Sequence, residues 1–425
     1  MRNHPLIKAL LALRGNPRAV VYTEPLWGVP HHLYAPFAAV YMSALLLTDR
    51  QIGLVASVSM FFQAISALLG GAITDKLGRK KTTFIFDILS WSIPTLLWAF
   101  SQNFWWFIVA AAFNGLWQIT NTSWLCLLVE DAEKSSIVNI FSLIYLSGQL
   151  AVVFAPFSGL LVSSLTVVPT MRILYAFTFL SMTAKFIILN IYCTETTVGM
   201  VRKKETSGMT IWGILSGYGA VLRQIFADPG MVLALAVSAM FNISGMVMGT
   251  FFGLFTTGTL MIPQHFLAYF PILRSVIIVL FMFVIQSKIS RFGYKGPMLV
   301  GIMFYIVSHV ALMLSPQGNL LIPCIYILLE SAGTALVMPR LDSIKALLIE
   351  PSERARILSI MTVLVLAVNI PFGYLAGWLS DMDRRLPFGL DIIIFSLAFI
   401  TIAMSKRLTA ESLDQTQAET ESITG

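Results

Sequence analysis

One stretch of the chain carries amide and indole side chains at helical spacing. Asn114, Gln118 and Asn121 follow one another in steps of four and three residues, and Trp117 and Trp124 flank them. Residues three and four apart share a face of a helix. Amides that hydrogen-bond to hydroxyls and indoles that stack on a ring are typical of a polyol or sugar site. The same amides are also suited to joining membrane helices, and both interpretations stay open.

Ionisable residues inside apolar stretches are the second candidates for chemistry. Glu330 and Arg274 each lie within such a stretch, where a charge costs several kcal/mol and marks a functional site by default. Either they pair, or Glu330 carries a proton. His31 lies at helical spacing from Trp27 and Tyr34, and it is either a packing residue or a second proton carrier. We assign Glu330, His31 and Arg274 to proton coupling, and His31 and Tyr34 also to the solute site.

The elements that must position these residues are long apolar runs. Of 425 residues, 57% are hydrophobic and 12% are charged, and the mean hydropathy is +0.81. Soluble domains have about 25% charged residues, so a soluble fold is excluded. A membrane helix needs about 20 apolar residues. The sequence contains twelve such runs: 26–47, 51–74, 82–101, 104–129, 137–164, 169–192, 229–256, 265–287, 297–315, 319–349, 355–380 and 387–405. We predict an all-α, polytopic membrane protein.

The placement of the basic residues predicts the orientation of these spans. The net charge is +7. With the N-terminus inside, twenty Lys and Arg lie on the inner side, and only Arg50, Arg172, Arg384 and Arg385 lie on the other. This is the positive-inside bias, so we predict a plasma-membrane protein with both termini in the cytoplasm and no nucleic-acid partner. Asp87 and Lys185 are expected near the inner surface, where water or snorkelling neutralises them.

A short charged loop lies between the second and third runs. It reads G-x-x-x-D-K-x-G-R-K-K from Gly71 to Lys81. This spacing resembles the signature loop of the major facilitator superfamily, secondary transporters with twelve spanning helices. The resemblance implies two pseudo-symmetric six-helix lobes and alternating access. It also implies that Asp75 and Arg79 latch the lobes by binding the start of a helix in the opposite lobe. The predicted latch comprises Gly71, Asp75, Gly78, Arg79 and Lys80, and the alternative is a solvated loop whose charges only set topology.

The order of the runs predicts the domain organisation. The segment 123–134 returns 220 residues later at 343–354, and the longest polar interruption divides six spans from six. Parallel repeats of this kind place a solute near the membrane midplane. We expect a cytoplasmic N-terminal segment 1–18, a first lobe 19–192, a cytoplasmic linker 193–226 with an amphipathic helix on the membrane surface, a second lobe 227–405 and a cytoplasmic tail 406–425.

Together these features predict a permease that moves a small polar solute, of the sugar or glycoside class, by symport with protons as a monomer in the bilayer. One alternative is a proton-antiport exporter of amphipathic drugs or lipids. Another is a non-transporting receptor or scaffold. Three separated cysteines indicate neither disulfides nor a metal site. The sequence contains no nucleotide-binding loop and no clustered catalytic set, so we expect no cofactor and no enzymatic activity.

Overall fold

The computed structural model describes residues 5–133, 136–211, 213, 218–284, 293–349 and 354–405, and within them no strand occurs. The predicted all-α class is confirmed. The predicted tail 406–425 lies outside the described residues. The α-helices, in chain order, are α1 (Pro5–Ala12), α2 (Gly15–Thr23), α3 (Pro25–Tyr34), α4 (Ala38–Ala44), α5 (Asp49–Leu77), α6 (Arg79–Asp87), α7 (Ile93–Phe100), α8 (Phe104–Asn114), α9 (Trp117–Val129), α10 (Ile137–Val152), α11 (Ala155–Leu165), α12 (Val167–Tyr192), α13 (Thr197–Glu205), α14 (Tyr218–Ala227), α15 (Pro229–Gly258), α16 (Phe270–Val284), α17 (Lys295–Met313), α18 (Leu321–Leu347), α19 (Arg354–Met382) and α20 (Leu386–Met404).

Ten helical stretches in the described part of the chain are long and apolar enough to cross a membrane. The two remaining predicted spans consist of shorter helices. In 26–47, a 3-10 turn at Ala35–Phe37 separates α3 from α4. Pro36 lies in that turn and has no N–H to continue an α-helical ladder. In 104–129, α8 ends before Gly115, where a Cβ atom would lie 2.9 Å from the Ser59 carbonyl oxygen of α5.

The chain divides into two compact units. Unit 1 comprises Met1–Leu47 and Val58–Gly217, and unit 2 comprises Thr48–Ser57 and Tyr218–Gly425. The first turns of α5 therefore belong to unit 2 and the rest of that helix belongs to unit 1.

Unit 1 is built around α12, which packs against α3 and α7. Aromatic side chains fill this contact. The ring centroids of Tyr34 and Tyr175 are 5.0 Å apart, and those of Trp98 and Tyr175 are 5.3 Å apart. Between α6 and α7 the backbone forms a π-helical turn at Ile88–Ser92. Turns of this type are rare and are often found at functional sites.

Unit 2 has its core between α15, α17, α19 and α20. α17 and α18 approach closely because each contributes a glycine to the crossing. A Cβ atom on Gly333 would lie 2.8 Å from the Gly301 carbonyl oxygen, so neither position has room for a larger residue. The helix α14 has Val221 and Ile225 buried in this core. The position of a linker helix on the membrane surface stays a prediction.

Candidate functional site

Unit 1 contains a cavity of about 200 Å³. Four of the residues that line it are tryptophans, and three have ionisable side chains. The lining residues are Glu24, Trp27, Asp87, Trp91, Trp117, Thr120, Asn121, Trp124, Lys185 and Phe186. A ligand in this cavity would meet flat aromatic faces and fixed charges.

The charges are held together by direct contacts. The Lys185 ammonium lies 2.8 Å from a Glu24 carboxylate oxygen and 6.0 Å from the centroid of the Trp27 ring. Asp87 accepts a hydrogen bond of 2.7 Å from the Thr120 hydroxyl. The prediction that water or snorkelling neutralises Asp87 and Lys185 is wrong, because Asp87 is 6% and Lys185 is 4% exposed. No sequence pattern indicated Glu24, which is 161 positions from its partner.

The predicted amide stripe divides into two parts. Trp117, Asn121 and Trp124 line the cavity, but Gln118 and Asn114 do not. The Asn114 amide donates to the Ser90 carbonyl oxygen at 2.9 Å and so joins α8 to the π-helical turn. The indole N–H of Trp124 is buried and has no hydrogen-bond partner among the residues that the structure describes, so a donor is available in the cavity wall.

His31 and Tyr34 extend the aromatic wall on one side of the cavity. The His31 ring is stacked on Trp27 at a centroid distance of 4.8 Å and meets Trp91 edge-on at 6.2 Å. Its Nδ1 atom lies 3.1 Å from the Tyr34 hydroxyl. Neither His31 nor Tyr34 lines the cavity itself. His31 contacts two lining residues, Trp27 and Trp91, whereas Tyr34 contacts His31.

Glu330 and Arg274 form an ion pair in unit 2. The Arg274 Nη2 atom lies 3.0 Å from Glu330 Oε1. The same oxygen accepts hydrogen bonds from the hydroxyls of Tyr305, at 3.2 Å, and Thr334, at 3.3 Å. The other oxygen, Oε2, is buried and has no hydrogen-bond partner among the described residues. The Arg274 Nη1 atom lies 2.7 Å from the Met248 sulfur.

The signature loop forms a charge network within unit 1. Arg79 lies 2.9 Å from Asp75 and 3.0 Å from Glu130, with its side chain only 5% exposed. Arg202 of α13 approaches the other Asp75 oxygen at 3.3 Å. A carboxylate at the C-terminal end of α5 is unfavourable to the helix dipole, and these two guanidinium groups offset that cost. The binding of Asp75 to a helix of the opposite lobe stays a prediction.

The two glycines of the loop differ in their surroundings. Gly78 has φ 90° and ψ 160°, a conformation essentially confined to glycine. The Glu195 carboxylate lies against it and accepts hydrogen bonds from the backbone N–H groups of Arg79, at 2.9 Å, and Lys80, at 3.3 Å. It thereby caps the start of α6. A Cβ atom on Gly71 would have no neighbour within 4 Å.

Comparison with known proteins identifies the family. The sequence model of the Major Facilitator Superfamily matches residues 31–365. The chain belongs to the major facilitator superfamily. The resemblance seen in the signature loop is therefore confirmed, and the protein is a multi-pass membrane transporter.

Relatives within the superfamily match over short stretches. An uncharacterized MFS-type transporter, YqjV of Bacillus subtilis (strain 168), is 32% identical over 127 residues, which are 29% of this chain and 31% of the relative. The multidrug resistance protein MdtG of Rahnella sp. (strain Y9602) is 33% identical over 96 residues, or 21% of this chain and 23% of the relative. Each match spans under a third of the relative's length.

Solved superfamily structures match over nearly the whole chain. The crystal structure of the nucleoside transporter NupG has a TM-score of 0.68 at 16% identity, and it covers 92% of this chain and 100% of NupG. A bacterial homolog of the human lysosomal transporter Spinster, in an inward-facing and occupied conformation, has a TM-score of 0.70 at 14% identity, covering 93% and 97%. At these identities the match shows the fold alone.

Unit 2 contains a second buried pair of ionisable residues, which the sequence patterns did not indicate. His309 Nε2 lies 3.3 Å from Asp391 Oδ2, and neither side chain is exposed. The Ser244 hydroxyl donates to the same Asp391 oxygen at 3.1 Å. Both residues lie inside predicted spans, so the rule that singled out Glu330 would also have found Asp391. Glu195 gives no such signal, because it lies in a polar segment where acids are common.

Proposed function

We propose that this transporter carries a compact organic cation with an aromatic or N-alkyl group, bound in the unit 1 cavity and exported in exchange for protons. The observation that supports the proposal is the lining of the cavity. Its two carboxyl groups outnumber its one ammonium, which pairs with Glu24, so the Asp87 carboxyl group remains for a solute cation beside four indoles. Indole faces attract organic cations by about 0.5 to 2 kcal/mol each. The relatives named multidrug resistance proteins agree with this class of solute.

A sugar or glycoside moved by proton symport is the second candidate. Asn121 and Trp117 favour it, because both line the cavity and provide an amide and a stacking face. The geometry favours the cation, since two of the three predicted amides do not reach the cavity and the polar lining is mainly charged. In either case the cavity volume of about 200 Å³ suits a small solute or the charged end of a larger one.

We place proton coupling at Glu330. Its Oε1 atom contacts Arg274 and the Tyr305 hydroxyl, while its Oε2 atom is buried with no hydrogen-bond partner in the described part of the chain, which makes Oε2 the oxygen that we propose receives the proton. We further propose that the protein lies in the plasma membrane with both termini and the linker in the cytoplasm, on the basis of the distribution of Lys and Arg.

The test is flux in liposomes with an imposed pH gradient, using benzyltrimethylammonium as the cation and methyl glucoside as the sugar. We expect cation-dependent proton movement. The Asp87→Asn variant removes the carboxyl group proposed to bind the cation and should weaken cation binding, read from indole fluorescence, at least about tenfold, which is about 1.4 kcal/mol. Sugar-dependent proton movement without a response to the cation would replace the first candidate with the second. No flux with either probe would favour a receptor.

Asn121→Ala and Gln118→Ala form a matched pair for the location of the site. Asn121 lines the cavity and Gln118 does not, although both are amides in α9. Loss of an amide that binds the solute costs about 1 to 3 kcal/mol of affinity when the partner stays buried. We expect that loss only for Asn121→Ala. Equal affinities in both variants, with a lower melting temperature for Asn121→Ala, would show that Asn121 only joins helices.

A further inference from the structure

Lys185 of α12 contributes the ammonium group of the unit 1 cavity and is only 4% exposed. An ammonium has three N–H donors. Among the described residues, Lys185 donates one hydrogen bond, of 2.8 Å, to Glu24 Oε2. Its nitrogen also lies 6.0 Å from the centroid of the Trp27 ring, which is within the range of a cation–π contact. Lys185 therefore makes the two contacts, with a carboxylate and with an indole face, that an organic cation would make.

The groups around this ammonium are held in place by contacts that do not involve it. The Trp27 ring is stacked on His31, with an angle of 9° between the ring planes. The Ser181 hydroxyl, four residues before Lys185, donates a hydrogen bond of 2.8 Å to the Leu26 carbonyl oxygen and so joins α12 to α3. The indole and the backbone next to it can therefore keep their positions when a different cation takes the place of the Lys185 ammonium.

The second carboxyl group of the cavity has no cationic partner. Asp87 accepts a hydrogen bond from the Thr120 hydroxyl, and it forms no salt bridge within the part of the chain that the structure describes. A solute with one ammonium can bind beside Asp87 without disturbing the pair of Lys185 and Glu24. A solute with two would bring its second ammonium close to Lys185, where like charges repel strongly because little water screens them.

We propose that Glu24 and Trp27 form a second cation subsite, and that Lys185 fills it and so restricts the cavity to solutes with one positive charge. This selection by charge rests on the proposed export of organic cations. Without the Lys185 ammonium, the Glu24 carboxylate would be buried and unpaired, which is strongly unfavourable. An ammonium of the solute would then take that position. Because Glu24 accepts an N–H hydrogen bond, the subsite fits a primary or secondary ammonium, and an aromatic diamine fits this subsite and Asp87 together.

Two probes with the same ring separate one positive charge from two. Benzylammonium has one ammonium, and p-xylylenediammonium has a second on the opposite side of the ring. Their binding to the purified protein in detergent is read from indole fluorescence. We expect the wild-type protein to bind benzylammonium at least about tenfold more tightly than the diammonium. In Lys185→Met, whose side chain is unbranched and neutral, the preference should reverse, so that the diammonium binds more tightly.

Three further variants separate the charge of Lys185 from its packing. Lys185→Arg keeps the positive charge and should keep the wild-type preference for benzylammonium. The double variant, Lys185→Met with Glu24→Gln, should also prefer benzylammonium, since only Asp87 is left to bind a cation. Its melting temperature should lie close to that of the wild type, because no buried charge is left unpaired. Lys185→Gln can donate a neutral N–H to Glu24, so it provides the test should Lys185→Met not fold, and the same reversal is expected.

The possible results distinguish this selection by charge from the proposed function. Persistence of the wild-type preference for benzylammonium in Lys185→Met and Lys185→Gln would overturn the role of Lys185 and leave cation export in place. Preference for the diammonium in the wild type or in the double variant would overturn it too, because the second ammonium would then need neither the absence of Lys185 nor the presence of Glu24. Failure of every one of these proteins to bind benzylammonium would refute the cation site itself, and the proposed function with it.

Discussion

Replacement of Gly78 by alanine should destabilise unit 1 through two separate effects. The first is backbone strain, since φ 90° with ψ 160° costs a residue with a Cβ atom about 1 to 3 kcal/mol. The second is steric, since the added Cβ would lie 3.0 Å from the Glu195 Cδ atom and closer still to its carboxylate oxygen. Glu195 must then move away from the backbone N–H groups of Arg79 and Lys80. Loss of such hydrogen bonds to a charged group costs about 1.5 to 3 kcal/mol.

Together these effects predict a loss of about 3 to 5 kcal/mol in the free energy of unfolding. For a unit of this size the loss corresponds to a fall of roughly 6 to 20 °C in melting temperature. The measurement is thermal unfolding of the purified protein in detergent. Gly71→Ala is the matched control, because Gly71 belongs to the same signature sequence but lies within α5. This substitution should be neutral or stabilising by about 0.5 to 1 kcal/mol, since alanine suits a helix and the added Cβ atom would have no neighbour within 4 Å.

A double-mutant cycle with Glu195→Ala separates the two effects. If the steric effect operates, Gly78→Ala should cost less in the Glu195→Ala background, since the carboxylate no longer has to move. The remaining cost is then the backbone strain. Equal melting temperatures for Gly78→Ala and Gly71→Ala would refute the reasoning, because they would show that neither the conformation of Gly78 nor the cap provided by Glu195 contributes to stability.

Three further substitutions test other parts of the molecule. Glu330→Gln should abolish solute accumulation driven by a pH gradient while solute exchange persists. Undiminished uphill transport would remove Glu330 as the proton carrier. A melting curve must accompany the flux data, because Arg274 loses its charged partner. Asp75→Asn should lower turnover more than solute affinity, and a normal rate would leave the loop with a topological role only. Ser207→Cys should react with an impermeant thiol reagent only after the membrane is permeabilised. Cys193 should contribute little background labelling, since burial raises the pKa of its thiol to about 11. Labelling of intact cells would contradict a cytoplasmic linker.

The helical class and the family could be predicted from the sequence because both depend on local features. Hydropathy reports the length of each apolar run, and the signature loop is a contiguous string of residues. The breaks inside two of the predicted spans were harder to predict. Pro36 is visible in the sequence, but whether it ends a helix depends on how the chain continues after it.

The site could be predicted only in part, because it depends on pairings between distant residues. Helical spacing gave Trp117, Asn121 and Trp124, which do share the cavity. The same spacing assumed one straight helix through Asn114, whereas α8 ends at Asn114 and α9 begins at Trp117. The helix breaks at Gly115, and the Asn114 side chain therefore bonds to Ser90 instead of facing the cavity. We attribute the break to the close approach of α5 at Gly115, and no local sequence pattern indicates that approach.

The π-helical turn at Ile88–Ser92 decides how Asp87 is oriented relative to the rest of its helix. Such a turn uses an i→i+5 bond and holds one more residue than an α-helical turn. It therefore rotates the residues before it by about 100° relative to those after it, compared with an uninterrupted α-helix. In this chain a single deletion in that turn would rotate Asp87 relative to Pro94, so the length of this turn, and not only the identity of its residues, decides whether an acid faces the cavity.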